Sequence, residues 1–313
     1  MGNQRMRDRL LPKPVYNFLR GIVGRVRECP AFDINQRRLY QFGILGKRWI
    51  ERTKHIRKIR ILFYPDLPNP HSAIYKICYL NGYDTTNDPS QPFQLAIHWE
   101  AETCRKPDAV LKALAERMHV INYECMDIAK KRVDALFQDV FGYSLMIDPV
   151  THRGPCLVKS DLNALHDGKI IVAPVREVRE DCVYQKLINN AVGEATVQDI
   201  RVPVFRNRIP FVYLKYRPSD EKDRFRKILH AAVVPVTEVF SGEELSKIIT
   251  FVERFGLEYG ELDILRDNDD GRPYIIDVNN TPFWTPGHLP PEQGWQALKG
   301  MGSSFEEVFL DGK

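Results

Sequence analysis

Close cysteine pairs, long apolar runs and clustered histidines are all missing from this sequence, and each absence removes a class of function. Six cysteines, at 29, 78, 104, 125, 156 and 182, form no C-x-x-C pair, so no zinc ribbon or dithiol redox motif is written here and they read as reduced structural thiols. No apolar run approaches the ~18 to 20 residues of a helical membrane span. The N-terminus lacks an apolar signal core, which makes the cytoplasm the expected location. Met1-Gly2-Asn3 opens like a myristoylation signal, but Met6 stands where Ser or Thr is required, which excludes that modification. The eight histidines show neither metal spacing nor a triad, and the chain has no internal repeat and no low-complexity tract.

Acidic residues are scarce at the start. Positions 1 to 60 hold sixteen Lys/Arg against four Asp/Glu, and the remainder holds 29 against 37, so the net +4 hides a basic arm on an acidic body. Such an arm suits an anionic partner: a membrane surface to which the protein would be peripheral, the acidic face of another subunit, or, with less support, a nucleic acid. Residues 10–26 mix apolar and basic side chains as a short amphipathic helix would, with membrane contact and packing on the body as equal readings. The patch at 37–60 holds Tyr40, Phe42 and Trp49, which suit core anchors as well as base-stacking platforms.

The body is ordinary globular sequence; the whole chain is 43% hydrophobic and 27% charged, and long enough for two or three subdomains. Patterning predicts strands at 59–64, 93–99 and 120–123, helices at 72–81 and 108–116, and a polar loop at 84–92, together a small α/β unit with a partly parallel sheet. A helix at 127–140 ends before Gly142. Strands are expected at 156–159, 169–174 and 182–188, with a small polar loop at 160–168, then at 197–205 and 211–217, followed by a helix at 242–255. Runs 262–265 and 274–278, around Asn268, Asp269, Asp270 and Gly271, predict a β-hairpin.

That hairpin carries the sharpest chemistry. Asp277 and Asn279 lie two apart and share a strand face, and Asp263 can meet them from the partner strand. Hard oxygen ligands gathered this way suit Mg²⁺. Solvated turn residues are the plainer reading, but Asp277 is bracketed by Ile275, Ile276 and Val278, where an unpartnered carboxylate is costly to bury.

Several motifs precede it in a fixed order: Lys130-Lys131 opening a helix, Lys159 ending a strand, the run YQKLINN, the Asp-x-Arg strand DIRVPVF, and then DIL…YIIDVNNTP. This succession resembles the ATP-grasp superfamily over roughly residues 120–285. The resemblance implies an α+β two-lobe fold preceded by a small α/β pre-grasp domain. Its divisions would be a basic arm at 1–58, the pre-grasp domain at 59–125, one lobe at 126–190 and the other, with the metal site, at 191–313.

It further implies an ATP- and Mg²⁺-dependent ligase that activates a small-molecule or peptide carboxylate as an acylphosphate for attack by an amine or another nucleophile. Lys131, with Lys130 as the close alternative, and Lys159 resemble the nucleotide lysines. Gln185, Lys186, Leu187 and Ile188 resemble the adenine hinge, although Lys186 stands where the family often has Glu. Asn190 or Glu194 is expected at the ribose, and His166 and Asn163 at the tip of a phosphate loop poor in glycine. Asp199 is expected to orient Arg201 for the transferring phosphoryl group, with a surface salt pair as the competing reading, and Arg217 matches a further cationic position. Asp263, Asp277 and Asn279 fall on the metal-ligand positions. A grasp-fold small-molecule kinase is the enzymatic alternative. A basic nucleic-acid- or membrane-binding module with a silent grasp fold is the non-enzymatic one.

Overall fold

A computed structural model describes residues 59–163, 165, 167–220, 227–283 and 289–311. The basic arm and His166 lie outside them, and so do the expectations attached to them.

The first sheet is parallel, in the order β2 (Asp84–Thr86), β1 (Arg60–Pro65), β3 (Leu95–Trp99), β4 (Val120–Ile121). Its central strands are apolar runs, Ile61 to Phe63 and Leu95 to Ile97, because helices shield a parallel sheet from water. Helix α1 (Ala73–Asn81) starts where the Ser72 hydroxyl accepts from Tyr75 N–H, and α2 (Ala109–Ala115) where Asp108 accepts from the amides of Val110 and Leu111. Strand β2 corrects the expected loop at 84–92. It joins β1 through main-chain bonds, which an Asp-Thr-Thr segment can supply without any apolar pattern.

Helix α3 (Lys130–Phe141) then leads into a three-stranded antiparallel sheet in the order β6 (Lys169–Ala173), β5 (Gly154–Ser160), β7 (Cys182–Lys186). A five-stranded antiparallel sheet comes next, in the order β10 (His230–Val234), β9 (Val212–Pro218), β8 (Thr196–Phe205), β11 (Tyr259–Arg266), β12 (Pro273–Asn279). Helix α4 (Gly242–Phe255) precedes β11 and is capped by the reciprocal Ser241–Glu244 box. Helix α5 (Pro291–Phe309) closes the chain. No helix among the described residues is long and apolar enough to cross a membrane.

Alternation along the strands gives the five-stranded sheet two unlike faces. Ile200, Val202, Val204, Val212, Leu262, Ile264, Ile275 and Val278 form the dry face, packed on Val133, Leu136, Phe137 and Phe141 of α3 and Ile248, Phe251, Val252 and Phe255 of α4. Burying each such side chain contributes about 1.5–3 kcal/mol. Among the described residues, β5, β6 and β7 give nothing to this cluster. Their sheet is tied to the rest largely by polar contacts: Ile147 N–H to Tyr184 O at 3.0 Å, Lys186 N–H to Leu145 O at 2.9 Å, and the Lys186 ammonium to Asp267 at 2.6 Å and Asp270 at 2.9 Å.

Two glycines set close approaches. Gly256, at φ +72°, ends α4 against residue 124, where a Cβ would lie 2.9 Å from Glu124 Cβ. Gly260 lets the backbone of β12 come near, since a Cβ there would sit 2.5 Å from Asn279 O.

Candidate functional site

The opposite face of the five-stranded sheet is polar along most of its length. Cross-strand register sets Asp199 against Lys215, Arg201 against both Tyr213 and Asp263, Asp263 against Asp277, and Glu261 against Asn279. The alternation would break at β12, where Ile275 faces the core and Asp277, two residues on, does not. A bulge resolves this: Ile264 pairs with Ile275 and Asp263 with Asp277, leaving Ile276 unopposed.

The structure brings the three expected metal ligands together and also shows what already holds them. Asp263 Oδ1 accepts from Arg201 Nε at 3.1 Å and Lys215 Nζ at 2.8 Å, and its Oδ2 from Arg201 Nη2 at 3.1 Å and Asn279 Nδ2 at 3.3 Å. A carboxylate has about four lone-pair sites, so all of its capacity is engaged. Burial alone would raise the Asp263 carboxyl, but Arg201 and Lys215 outweigh it and hold the group well below the usual carboxylate range. Asp277 differs. Its Oδ1 is buried and has no hydrogen-bond partner among the described residues, and burial keeps its carboxyl raised against the opposing pull of Lys159 and Lys130.

That orphaned oxygen is where a cation fits. Asp277 Oδ1 and the amide oxygen of Asn279 supply hard donors, and Asp263 would join only as its ammonium and guanidinium partners shift toward an incoming anion. Among the described residues no three His, Cys, Asp or Glu side chains gather as a ready-made metal cage.

Of the two candidate helix lysines, Lys130 is the one that faces the carboxylates. It is 6% exposed, its Nζ donates to Leu162 O at 2.7 Å, and it lies 4.0 Å from Asp277 Oδ1. Lys131 turns away, donating to Glu180 O at 2.7 Å. Lys159, on β5, comes from the facing sheet, and burial pushes its ammonium down to about 8, partly offset by Asp277.

The expected Asp199–Arg201 pair does not form. Arg201 reaches the neighbouring strand to Asp263, with Glu261 Oε2 at 3.4 Å from Nη1, while Asp199 takes Arg217 and receives a 3.3 Å bond from Asn190. The reason is register. Each side chain finds its partner across the ladder, where the antiparallel neighbour is closer than the residue two along its own strand.

In the hinge run, Gln185 is buried and Ile188 belongs to the core, while Leu187 is half-buried. Lys186 is bound to Asp267 and Asp270; burial works against its charge, and those hydrogen bonds raise it above the ordinary lysine range. Asn163 donates to Val278 O at 3.3 Å, which places that residue against β12. Glu194 is exposed.

Three residues of the polar face were not singled out by sequence: Lys215, Glu261 and Tyr213. The signal was present, because Lys215 and Arg217 lie two apart, as do Glu261 and Asp263. Lys215 is 2% exposed, and burial lowers its ammonium against the pull of Asp263. Glu261 is also 2% exposed, and burial lifts its carboxyl to about 7.

No protein-family model matches the chain, and no curated protein matches it in sequence. Solved structures do. The D-alanine–D-alanine ligase of Bacillus anthracis superposes with a TM-score of 0.51 at 12% identity, covering 82% of this chain and 98% of that one. This chain has the ATP-grasp fold. A Chryseobacterium gregarium RiPP-associated ATP-grasp ligase, solved with ADP and a leader and core peptide, aligns over 82% of this chain and 98% of its own at TM-score 0.47 and 12% identity. The ATP-grasp ligase PsnB with minimal precursor, Mg and ADP aligns over 79% and 99% at TM-score 0.47 and 15% identity.

Proposed function

We propose that the chain is an ATP- and Mg²⁺-dependent ligase that activates a carboxylate as an acylphosphate for capture by an amine or another nucleophile. One observation carries this reading: Lys130, Lys159 and Arg201 converge from separate elements on Asp277, whose buried oxygen has no hydrogen-bond donor among the described residues, while Lys215 holds the neighbouring Asp263. Phosphoryl transfer asks chiefly for positioning and charge neutralisation, and a cleft so lined supplies both. Lys130 and Lys159 would hold phosphate oxygens. Asp277 and Asn279, with Asp263, would hold the Mg²⁺, which when bound neutralises charge on the β- and γ-phosphates. Arg201, and Arg217 beside Asp199, would face the transferring group and the acyl phosphate. The acceptor carboxylate oxygen would bond to the γ-phosphorus as ADP leaves, and the nucleophile would then take the acyl carbon as phosphate leaves.

A screen of ADP release over candidate acids, each with and without amines, tests this, with product masses read afterwards. A mass equal to acid plus amine less water is expected. A stable phosphorylated product formed without amine would replace the ligase with the kinase reading, and no ADP release under any pairing would favour the binding module.

The lowered Lys159 ammonium also makes nucleotide affinity pH-dependent. The free protein loses that charge above pH about 8, so the Kd for Mg·ADP is expected to climb as pH rises through that value. Lys159→Arg keeps its charge and should flatten the profile. Titration with a fluorescent ADP analogue from pH 6.5 to 9.5 shows whether the slope belongs to this residue.

A further inference from the structure

Helix α3 has no cap of its own. Ala129 occupies the N-cap position and offers no side-chain acceptor, yet the first turn carries Lys130, the lysine aimed at Asp277. Uncapped amides at a helix start need acceptors from elsewhere.

They come from the turn after β5. Asp161 Oδ1 accepts from Lys131 N–H at 2.9 Å, and Asp161 O accepts from Lys130 N–H at 3.2 Å. The next residue grips the other end of the same lysine, with Leu162 O accepting from Lys130 Nζ at 2.7 Å. Asp161 is itself tied to the start of β7, donating its N–H to Asp181 O at 3.1 Å. One dipeptide, 161–162, therefore holds Lys130 by backbone and by ammonium, and anchors it to the three-stranded sheet.

We propose that Asp161 is a positioning residue, a cap supplied from thirty residues downstream that fixes the Lys130 ammonium against Asp277. The carboxylate suits the positive end of the helix dipole, which a neutral acceptor satisfies less fully. Docking of the three-stranded sheet and placement of a phosphate-binding charge thereby become one event. This rests on the proposed nucleotide-binding role of Lys130.

Two measurements test it, and the first needs no nucleotide. The rate of Lys130 modification by an amine-reactive reagent, read by mass spectrometry, is expected to rise about tenfold in Asp161→Ala, the size of a lost cap hydrogen bond, and to change little in Asp161→Asn, which keeps an acceptor oxygen. An unchanged rate in Asp161→Ala overturns the proposal. The second is the Kd for Mg·ADP in a double-mutant cycle with Lys130→Met. Asp161→Ala should weaken binding about tenfold in the native background and hardly at all when Lys130 is already Met, because the effect runs through that lysine. An equal loss in both backgrounds would make Asp161 merely structural and overturn the proposal. If the native chain binds no Mg·ADP, the proposed ligase function fails, while the labelling result still decides the role of Asp161.

Discussion

Asp277→Asn is expected to remove Mg²⁺-dependent ADP formation by a factor on the order of a thousand, since a catalytic metal ion supplies several kcal/mol of charge stabilisation. The same variant should fold normally. Asp277 is a carboxylate that burial penalises and whose Oδ1 has no hydrogen-bond donor among the described residues, so replacing it with an amide relieves a desolvation cost. Against that, Lys130 and Lys159 lose an opposite charge. The two terms oppose, and a net change within about 1 kcal/mol is expected from urea unfolding. The pH dependence separates them. A carboxyl raised in the folded state binds its proton more tightly than in the unfolded chain, so it lowers stability as pH climbs from the ordinary carboxylate value through the raised one. Asp277→Asn should lack that component. Retained ADP formation in this variant would remove Asp277 from the metal site.

The opposite pattern is expected at Arg201. Its guanidinium lies between Asp263 and Glu261, two buried acids that face each other along one strand. Arg201→Met leaves Glu261 without its ion pair and Asp263 with Lys215 and Asn279 alone, and removing one partner of a buried pair costs about 3–5 kcal/mol. That is a large fraction of the roughly 5–15 kcal/mol that holds a domain folded. Adding Glu261→Gln should restore part of it, because one of the two acids is then neutral. A loss below about 1 kcal/mol in Arg201→Met, measured by urea denaturation, would show that the guanidinium is not what stabilises these acids. The two variants thus dissect one face: Asp277 carries function with little stability, and Arg201 carries both.

Much of this architecture was legible because it rests on local periodicity. The helix at 242–255 and the carboxylate hairpin arise from 3.6- and 2-residue patterns, and their caps and turn residues are written beside them. Strands β2 and β10 and helix α5 were not legible. Asp84–Thr86 and His230–Val234 are edge strands recruited by main-chain pairing, which leaves no trace in side-chain pattern. In α5, Gly294, Gly300 and Gly302 lower helix propensity. Tertiary packing overrides that, and Gly302 lets Asn81 of α1 approach to 3.4 Å of where a Cβ would be. Within the site, identities were easier to read than partners. Asp199, Arg201 and Asp263 could be named from motif order, but which acid meets which base depends on the register among β8, β9 and β11. The choice between Lys130 and Lys131 depends likewise on the rotational phase of α3, which the turn at 161–162 sets from a distance.

The unopposed Ile276 acts on β12 as a phase slip in a two-letter code. Upstream of it Tyr274 and Ile275 go to the interior, and downstream Asp277 and Asn279 alternate to the cleft around the buried Val278. In an uninterrupted strand these two halves would be locked to one parity, so that any insertion or deletion in one would invert the other. The slip uncouples them. Asp277 and Asn279 can be exchanged for another donor set without disturbing how Ile275 and Val278 sit in the core. A single surplus residue thereby makes the chemistry of this strand a replaceable module on a fixed frame.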